Sequence, residues 1–441
     1  MKLWCAIVLV IAALQPCTGQ GNLIDSINPS LPVYHDVKKV NSVLLEIIHS
    51  NSLDLKYHKV FEHPSKYHFQ VIYTQINRDS NNVAHLKRHY LYPPSTRYYY
   101  PASLVKLPLV ALALEKIDSL NKIYGITKDT RLAVDSAYKC ETVEYRDTTA
   151  KNKYPSIAHF IKQMLLVSDN YAYSRIYEFL GPKYINRRLH EMGYSDAMIN
   201  QRFNVHCDST ANRHTNPFTF LTDDSAVLYK QPADSNMASI QNVAEHTIIG
   251  KGYREDAKVK TARDFRRNNY MPFKNENDIL LSIIFPNSFP VKSRFRLTDD
   301  DYTFLYTYMG MLPRESDYPH YDRKSYDDNL KKYIYYGMTD TISDSAIGNI
   351  RSMNIVGRAY GFLADCTYMI DTITHSEFCL SVLMYLNERN VLNDGKYEYK
   401  TIGLPFMSDL GHAVMEYENK RKKKHPADLN KFKNLWVKKN L

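Results

Sequence analysis

The sequence predicts an α+β fold in which one antiparallel β-sheet is flanked by helices and joined to a helical subdomain. Two β-rich runs, "HFQVIYTQINRD" and "RHYLYPP", lie near the start of the chain, and two more, "YGFLADCTYMID" and "EFCLSVLMYLN", lie near its end. A largely helical block separates the two pairs. We therefore expect a sheet that is assembled from distant segments.

The helices are predicted by apolar residues that recur at helical spacing. "VYHDVKKVNSVLLEIIHSN" precedes the first two strands, and "LVKLPLVALALEKI" follows them. Residues 155–193 contain "IAHFIKQMLLV" and "YAYSRIYEFLG", separated by "SDN". Helical spacing returns in "DDDYTFLYTYMGML", and a last helix is predicted over residues 405–424.

Composition describes an ordinary globular chain, with 441 residues, 44% hydrophobic and 24% charged. Of the net charge of +10, most lies in the C-terminal tail, where nine Lys or Arg between Lys420 and Leu441 face only Asp428. No zinc-finger, RNP or helix-turn-helix pattern accompanies these charges, so we expect no nucleic-acid partner. Contact between the tail and an anionic envelope surface stays open.

The N-terminus has the order of a secretory signal peptide: Lys2, an apolar run from Leu3 to Leu14, then small and polar residues. Cleavage after Gly19 would release a periplasmic or secreted protein, and lipidation of Cys17 is the alternative. The cysteines beyond the signal form no C-x-x-C pair, so disulfides are allowed, no metal site is predicted and no cofactor is expected; they are Cys140, Cys207, Cys366 and Cys379.

These patterns divide the chain into five parts. They are a signal peptide (1–19), a sheet subdomain (30–100 with 293–424), a helical subdomain (101–230), a polar and weakly periodic insertion (231–292) and a basic tail (425–441).

Ser103 and Lys106 lie three residues apart where the long apolar helix begins. Residues at this spacing share a helix face, and a lysine whose pKa is lowered by burial can take a proton from a serine hydroxyl. The other interpretation is that Ser103 only caps the helix and Lys106 only decorates its first turn. Pro108 lacks an N–H for the Leu104 carbonyl, which predicts an irregular first turn.

Ser168, Asp169 and Asn170 supply a second motif, because S-x-x-K and S-D-N occur together in one class of serine enzymes. With "PASLVKLPLVALALEK" and "VSDNYAYSRIYEFLGPKYINRRLHEMGYSD", the sequence resembles the penicillin-recognising serine hydrolases, namely class A β-lactamases and penicillin-binding proteins. The resemblance covers 35–230 and 293–390 and implies a β-lactamase/transpeptidase-like fold. "NRHTNPFTF" resembles the Thr-Pro segment before the family's next helix. An exported subgroup with "PAS-x-VKLP", "LVSDN" and "VG-x-AYGF" is most similar.

The resemblance implies a role for each motif residue. Ser103 would be the acylated nucleophile, and Lys106 its base or part of a proton relay. Ser168 would pass the proton to the leaving group, and Asn170 would bind a carbonyl of a small-molecule or peptide-like substrate. Asp169 would hold its loop by hydrogen bonds.

The third family motif, Lys-Thr-Gly, is incomplete in "NIVGRAYGF". Gly357 takes the place of the glycine, and the N–H of Arg358 would complete an oxyanion hole with the N–H of Ser103. Ile355 takes the place of the lysine and cannot bind a carboxylate, so we expect it to be a core residue of the strand. The Arg358 side chain should point away from the cleft, and Arg351 lies roughly 13 Å upstream.

The glutamate with which class A β-lactamases activate the deacylating water also has no counterpart in "MINQRFNVHCDSTANRHTNP". Asp208 and His206 are candidates by residue type alone. An acyl-enzyme would then persist or pass to an amine acceptor.

Three functions remain open at this stage. The leading one is an exported serine hydrolase or acyltransferase that acts on an unidentified amide or ester. The second is a catalytically inactive binding module with the same fold. The third, a β-lactamase or peptidoglycan carboxypeptidase, conflicts with Ile355 and with the missing glutamate.

Overall fold

The structure is a computed structural model that describes residues 42–92, 95–203, 208, 210–238 and 241–435. The predicted signal peptide, including Cys17, lies outside these residues. Within the described ranges, no helix is both long and apolar enough to cross a membrane.

The α-helices of the described residues are α1 (Ser42–Ser50), α2 (Leu53–Lys56), α3 (His58–Glu62), α4 (Lys106–Tyr124), α5 (Ile157–Val167), α6 (Asn170–Leu180), α7 (Pro182–Glu191), α8 (Phe273–Ile284), α9 (Asp299–Gly310), α10 (Asp344–Asn349) and α11 (Leu404–Lys420). The strands are β1 (Gln70–Arg78), β2 (Ala84–Leu91), β3 (Leu132–Val134), β4 (His214–Thr215), β5 (Phe218–Leu221), β6 (Val227–Gln231), β7 (Asp234–Ser235), β8 (Ile248–Ile249), β9 (Gly252–Glu255), β10 (Lys258–Lys260), β11 (Arg263–Asp264), β12 (Ile350–Ala359), β13 (Phe362–Asp371), β14 (Ser376–Tyr385) and β15 (Val391–Leu392).

Five long strands form one antiparallel sheet in the order β12-β13-β14-β1-β2. The two ends of the chain therefore meet in this sheet, as the sequence predicts. Side chains of β14 alternate between two cores: Leu383 packs with α4 and α8 on one face, and Val382 and Met384 pack with α1 and α11 on the other. Because helices cover both faces, the fold is the predicted α+β arrangement.

Helix α4 runs through the larger core and is buried all round from Lys106 to Glu115. A helix that is apolar on every side is stable only when other elements surround it, and α5, α6 and α8 pack against it. Its start has the predicted irregularity, because Ala102–Val105 form a 3₁₀ turn before the regular helix begins.

Two segments differ from the sequence predictions. The Thr-Pro-like segment does not lead into a helix: Phe218–Leu221 is strand β5, which pairs with β3 and buries Phe218 and Phe220 on one side. The alternating pattern of this strand, and not the proline before it, decides the local structure. The predicted insertion 231–292 contains short strands but ends in α8, whose apolar residues pack on the sheet.

The basic tail also packs on the body of the protein as far as residue 435. Phe432 and Leu435 are buried against α9, and Arg351 donates a hydrogen bond of 2.7 Å to the Leu435 carbonyl. Burial lowers the pKa of Lys431 to about 8. Apolar residues interleaved with the charges explain why this part of the tail packs on the body of the protein.

The 3₁₀ turn that carries Ser103 lies directly against β12 at Gly357. A Cβ atom at Gly357 would lie 2.4 Å from the carbonyl oxygen of Pro101 and 3.1 Å from Cγ of Leu104. A contact of 2.4 Å with backbone cannot be relieved by a side-chain rotation. Because Gly357 has no side chain, the turn with Ser103 can approach the edge strand of the sheet this closely.

We expect Gly357→Ala to lower the free energy of unfolding by about 1–3 kcal/mol, since the added methyl group must displace the backbone of Pro101. Urea unfolding measures the change. Gly348→Ala in α10 is the matched control, because a Cβ there has no neighbour within 4 Å. This control should unfold at the wild-type midpoint or above it. Equal stability of the two variants would contradict the close approach.

Candidate active site

Ser103 occupies the second position of the 3₁₀ turn that precedes α4 and is half-buried. The residue before it, Ala102, has a φ of 49°, a left-handed conformation that costs energy for any residue with a side chain. The hydroxyl of Ser103 makes no hydrogen bond with any described residue. It is therefore free to meet a ligand.

Lys106, one turn after Ser103, is completely buried and links three segments of the chain. Its ammonium nitrogen, Nζ, contacts the carbonyl oxygen of Ser168, lies 3.0 Å from the Ser168 hydroxyl and 2.7 Å from Oδ1 of Asn170. The structure thus brings the predicted residue Lys106 together with Ser168 and Asn170, which lie more than 60 positions later in the sequence. The backbone N–H of Lys106 donates to the Ser103 carbonyl, but the Ser103 hydroxyl makes no hydrogen bond to this cluster.

Two aromatic rings lie near the Lys106 side chain. Nζ lies 6.0 Å from the ring centroid of Tyr173 and 5.7 Å from that of Phe203, and the two rings stack 4.2 Å apart. Burial lowers the pKa of Lys106 well below its ordinary value of 10.5, while the nearby Asp169 carboxylate opposes this shift. A larger fraction of Lys106 is therefore the uncharged amine that a general base requires.

The S-D-N motif forms the tight connection between α5 and α6. Ser168 ends α5 in a left-handed conformation with a φ of 58°. Asp169 is the N-cap of α6, where its carboxylate accepts a hydrogen bond of 2.8 Å from the N–H of Ala172. The predicted loop-holding role of Asp169 is thus confirmed, and this connection fixes Ser168 and Asn170 relative to the two helices.

The geometry of β12 gives Arg358 an outward-facing N–H. Strands β12 and β13 are joined by a two-residue turn in which both Tyr360 and Gly361 have positive φ, and Ala359 pairs with Phe362 across it. The residue pair that flanks such a turn exchanges backbone hydrogen bonds. Along the two strands, hydrogen-bonded pairs then alternate with pairs that make no hydrogen bonds to each other, and Arg358 belongs to the second kind. The N–H of Arg358 therefore points away from β13, toward the free edge of the sheet.

The turn with Ser103 packs at this same edge, beside Gly357. The N–H of Ser103 donates no hydrogen bond to any group in the described residues. Two N–H groups, from Ser103 and Arg358, are thus available where the resemblance places an oxyanion hole.

The side chains of the third motif behave as the sequence predicts. Ile355 is fully buried in the larger core, and the Arg358 guanidinium lies on the opposite face of the sheet, 6.0 Å from the ring centroids of Tyr333 and Tyr399. Arg351 is paired with Glu315 at 2.7 Å. None of these residues brings a cation to the place of the family lysine.

Lys331 is a second buried lysine beside the cluster, and sequence reasoning missed it. It comes from the irregular segment between α9 and β12, and its ammonium group donates to the carbonyl of Leu165 in the last turn of α5. Lys106 binds Ser168, three residues further along the same helix end. Burial lowers the pKa of Lys331 to about 7, and its charge adds to the lowering of the pKa of Lys106.

The segment around Lys331 is held to the sheet by buried hydrogen bonds. The adjacent Lys332 donates to the carbonyls of Met309 and Ser352, each at 2.7 Å. The N–H of Ile334 donates to Asp365 at 3.0 Å. The doublet "KK" matches no motif, so its burial could not be read from the sequence.

Of the two candidates for a deacylating residue, Asp208 does not join the site. Asp208 is exposed, pairs with Lys139 at 2.6 Å, and accepts hydrogen bonds from the N–H groups of Thr210 and Ala211. It is therefore a loop-stabilising residue. His206 lies outside the described residues.

No group of three or more His, Cys, Asp or Glu in the part of the chain that the structure describes is arranged to hold a metal ion. Cys366 and Cys379 are free and buried, and Cys140 is disulfide-bonded.

Comparison with known proteins gives a family match and several similar folds. Residues 66–259 match the model of the "Beta-lactamase enzyme family", and this range includes Ser103, Lys106 and the S-D-N motif. No curated protein matches the chain in sequence.

Among solved structures, the β-lactamase from Sphaerobacter thermophilus DSM 20745 has 9% identity and a TM-score of 0.42, with 86% of this chain and 98% of that chain covered. The chromosome-encoded β-lactamase of Vibrio parahaemolyticus has 10% identity and a TM-score of 0.44, with 82% and 98% covered. The β-lactamase from Streptomyces albus G has 11% identity and a TM-score of 0.41, with 81% and 98% covered.

The family match covers the segments from which the S-x-x-K turn and the S-D-N connection fold into one cluster. Over residues 66–259, which include both motifs, the chain is similar to the β-lactamase enzyme family.

Proposed function

We propose that the chain is an active serine hydrolase or acyltransferase that forms an acyl-enzyme at Ser103. The observation that carries this proposal is the burial of Lys106 with Ser168 and Asn170 one turn after Ser103. A buried lysine with three polar partners is costly to maintain in a protein core. Its position beside an unengaged serine hydroxyl supports a chemical role.

The proposed acylation begins when Oγ of Ser103 attacks the carbonyl carbon of an amide or ester and its proton passes to the Lys106 amine. The N–H groups of Ser103 and Arg358 stabilise the resulting oxyanion. Lys106 then gives a proton to Ser168, and the Ser168 hydroxyl proton goes to the departing amine or alcohol. The bond to the leaving group breaks, and the acyl group remains on Ser103.

Asn170 would orient the substrate. Lys106 donates to Oδ1 of its amide, so the Nδ2 group stays available to bind a carbonyl oxygen of the substrate. Water or an amine would then remove the acyl group. The absence of a counterpart to the family glutamate in the sequence favours an acyl-enzyme that persists long enough for transfer to an amine.

We also propose that the protein is exported, as the signal-like N-terminus indicates. The disulfide at Cys140 supports an oxidising compartment. The release of a soluble form, lipidation at Cys17 and envelope contact through the basic residues near the C-terminus stay alternatives for experiment.

Covalent labelling tests the proposed nucleophile. We expect a fluorophosphonate to modify Ser103, as located by peptide mass spectrometry, and Lys106→Met to slow labelling by about 100-fold or more, because the base is lost. Lys116→Met is the matched control. It removes a half-buried lysine of α4, whose ammonium group contacts the Phe179 carbonyl and Oε1 of Gln231 instead.

Labelling by the fluorophosphonate but not by a labelled penicillin would fit the core position of Ile355. Modification by both reagents would favour a β-lactamase or carboxypeptidase. If neither reagent modifies Ser103 in the folded protein, the chain is a binding module and the proposal fails.

The pH dependence of labelling tests the influence of Lys331 on Lys106. Labelling should increase with pH through the pKa of Lys106, because only the amine accepts the proton. Lys331→Met removes a neighbouring positive charge, so the protonated form of Lys106 becomes more stable and its pKa rises. We expect the ascending limb to move to higher pH.

Lys331→Arg, which stays positively charged as the pH rises, should not move the limb to higher pH. Lys332→Met removes the adjacent buried lysine and should lower stability without moving the limb. An unchanged limb in folded Lys331→Met would show that Lys331 does not act on the base.

A further inference from the structure

Arg263 carries a positive charge next to the turn that joins β12 and β13, near the candidate site. It lies on β11, within the polar segment that joins α7 to α8, and its guanidinium is surrounded by aromatic rings. The guanidinium carbon lies 4.7 Å from the ring centroid of Tyr253, 5.3 Å from that of Phe265 and 5.6 Å from that of Tyr360. Three rings thus fix the position of one positive charge.

No described residue pairs with this charge. Arg263 makes neither a hydrogen bond nor an ion pair through its side chain within the described ranges, and it is half-exposed. The adjacent carboxylate of Asp264 is engaged elsewhere, since it accepts hydrogen bonds of 3.1 Å from Thr247 and 2.8 Å from the N–H of Arg266. The five N–H donors of Arg263 are therefore available to a ligand.

The rings connect Arg263 to the residues around Ser103. Tyr360 follows Arg358 by two residues, and its ring centroid lies 5.1 Å from that of Tyr100, three residues before Ser103. Two residues of extended strand span roughly 7 Å. The ring of Tyr360 therefore separates the Arg263 guanidinium from Tyr100, at the side of the two available N–H groups where the β12–β13 hairpin lies.

Lys106 lies one helical turn after Ser103 and contacts Ser168, whereas Tyr100 lies three residues before Ser103. In the proposed reaction Ser168 gives its proton to the leaving group. A substrate with its leaving group at Ser168 extends its acyl portion toward Tyr100 and the hairpin.

We propose that Arg263 binds a carboxylate at the far end of the acyl chain of the substrate. This inference rests on the proposed acylation of Ser103 and assigns its substrate class. A planar guanidinium matches the two oxygens of a carboxylate, and a single cation balances one negative charge. Tyr100 supplies a second donor, because its hydroxyl has no partner among the described residues and burial raises its pKa, which keeps it protonated.

Two esters of equal length test the proposal: the 4-nitrophenyl monoester of suberic acid, which carries a terminal carboxylate, and neutral 4-nitrophenyl octanoate. The rate of Ser103 acylation is measured for both. Arg263→Gln should lower the ratio of the suberate rate to the octanoate rate by about tenfold or more, which is the size expected for a lost charge-assisted hydrogen bond.

Arg266→Gln is the control, because this exposed arginine lies three positions away and faces Asp264 at 3.7 Å. It should leave the ratio unchanged. A ratio that Arg263→Gln does not alter, or that both variants alter equally, would overturn the proposal.

A binding measurement separates this proposal from the proposed chemistry. Calorimetric titration of Ser103→Ala with monomethyl suberate, and with neutral dimethyl suberate for comparison, requires no acylation. Adding Arg263→Gln should weaken binding of the anionic ester by about tenfold and leave the neutral one unchanged. Equal binding of the two esters to Ser103→Ala would disprove the carboxylate site even if Ser103 is acylated.

Discussion

The buried contact between Lys106 and the S-D-N connection is the interaction on which the site depends. It joins the start of α4 to the junction of α5 and α6, and its three polar partners replace the water that burial removes. An uncharged amine fits this place, since it can donate to the Ser168 carbonyl and to Asn170 and accept from the Ser168 hydroxyl. Removing any one partner would leave a buried polar group unsatisfied.

Two backbone features of the same region also depend on the packing around them. Ala102 holds a left-handed conformation beside Ser103, and Gly357 lets the edge strand approach the backbone of Pro101. Strain and close approach of this kind persist only where the surrounding packing enforces them. Helix α4, buried on every side, supplies that packing, so the stability of the core and the geometry of the site are coupled.

Local patterns predicted the motif residues well, because Ser103 with Lys106, and Ser168 with Asn170, are fixed by spacing at helix ends. The sheet was also predictable from four strongly β-forming runs. Lys331 and Arg263 were not, since their roles arise from contacts with residues more than 90 positions away. The strand Phe218–Leu221 was not predicted, because the resemblance of its segment to a family Thr-Pro segment implied a helix, whereas its alternating side chains form a strand.

Direct titration of Lys106 tests the central claim. In protein labelled with ¹³C-lysine, the Cε resonance that disappears in Lys106→Met belongs to this residue, and its chemical shift can be followed with pH. The account predicts a midpoint well below 10.5, because the buried site disfavours the ammonium form. A midpoint at or above 10.5 would contradict it, since Lys106 would then be a structural cation and not the base of Ser103.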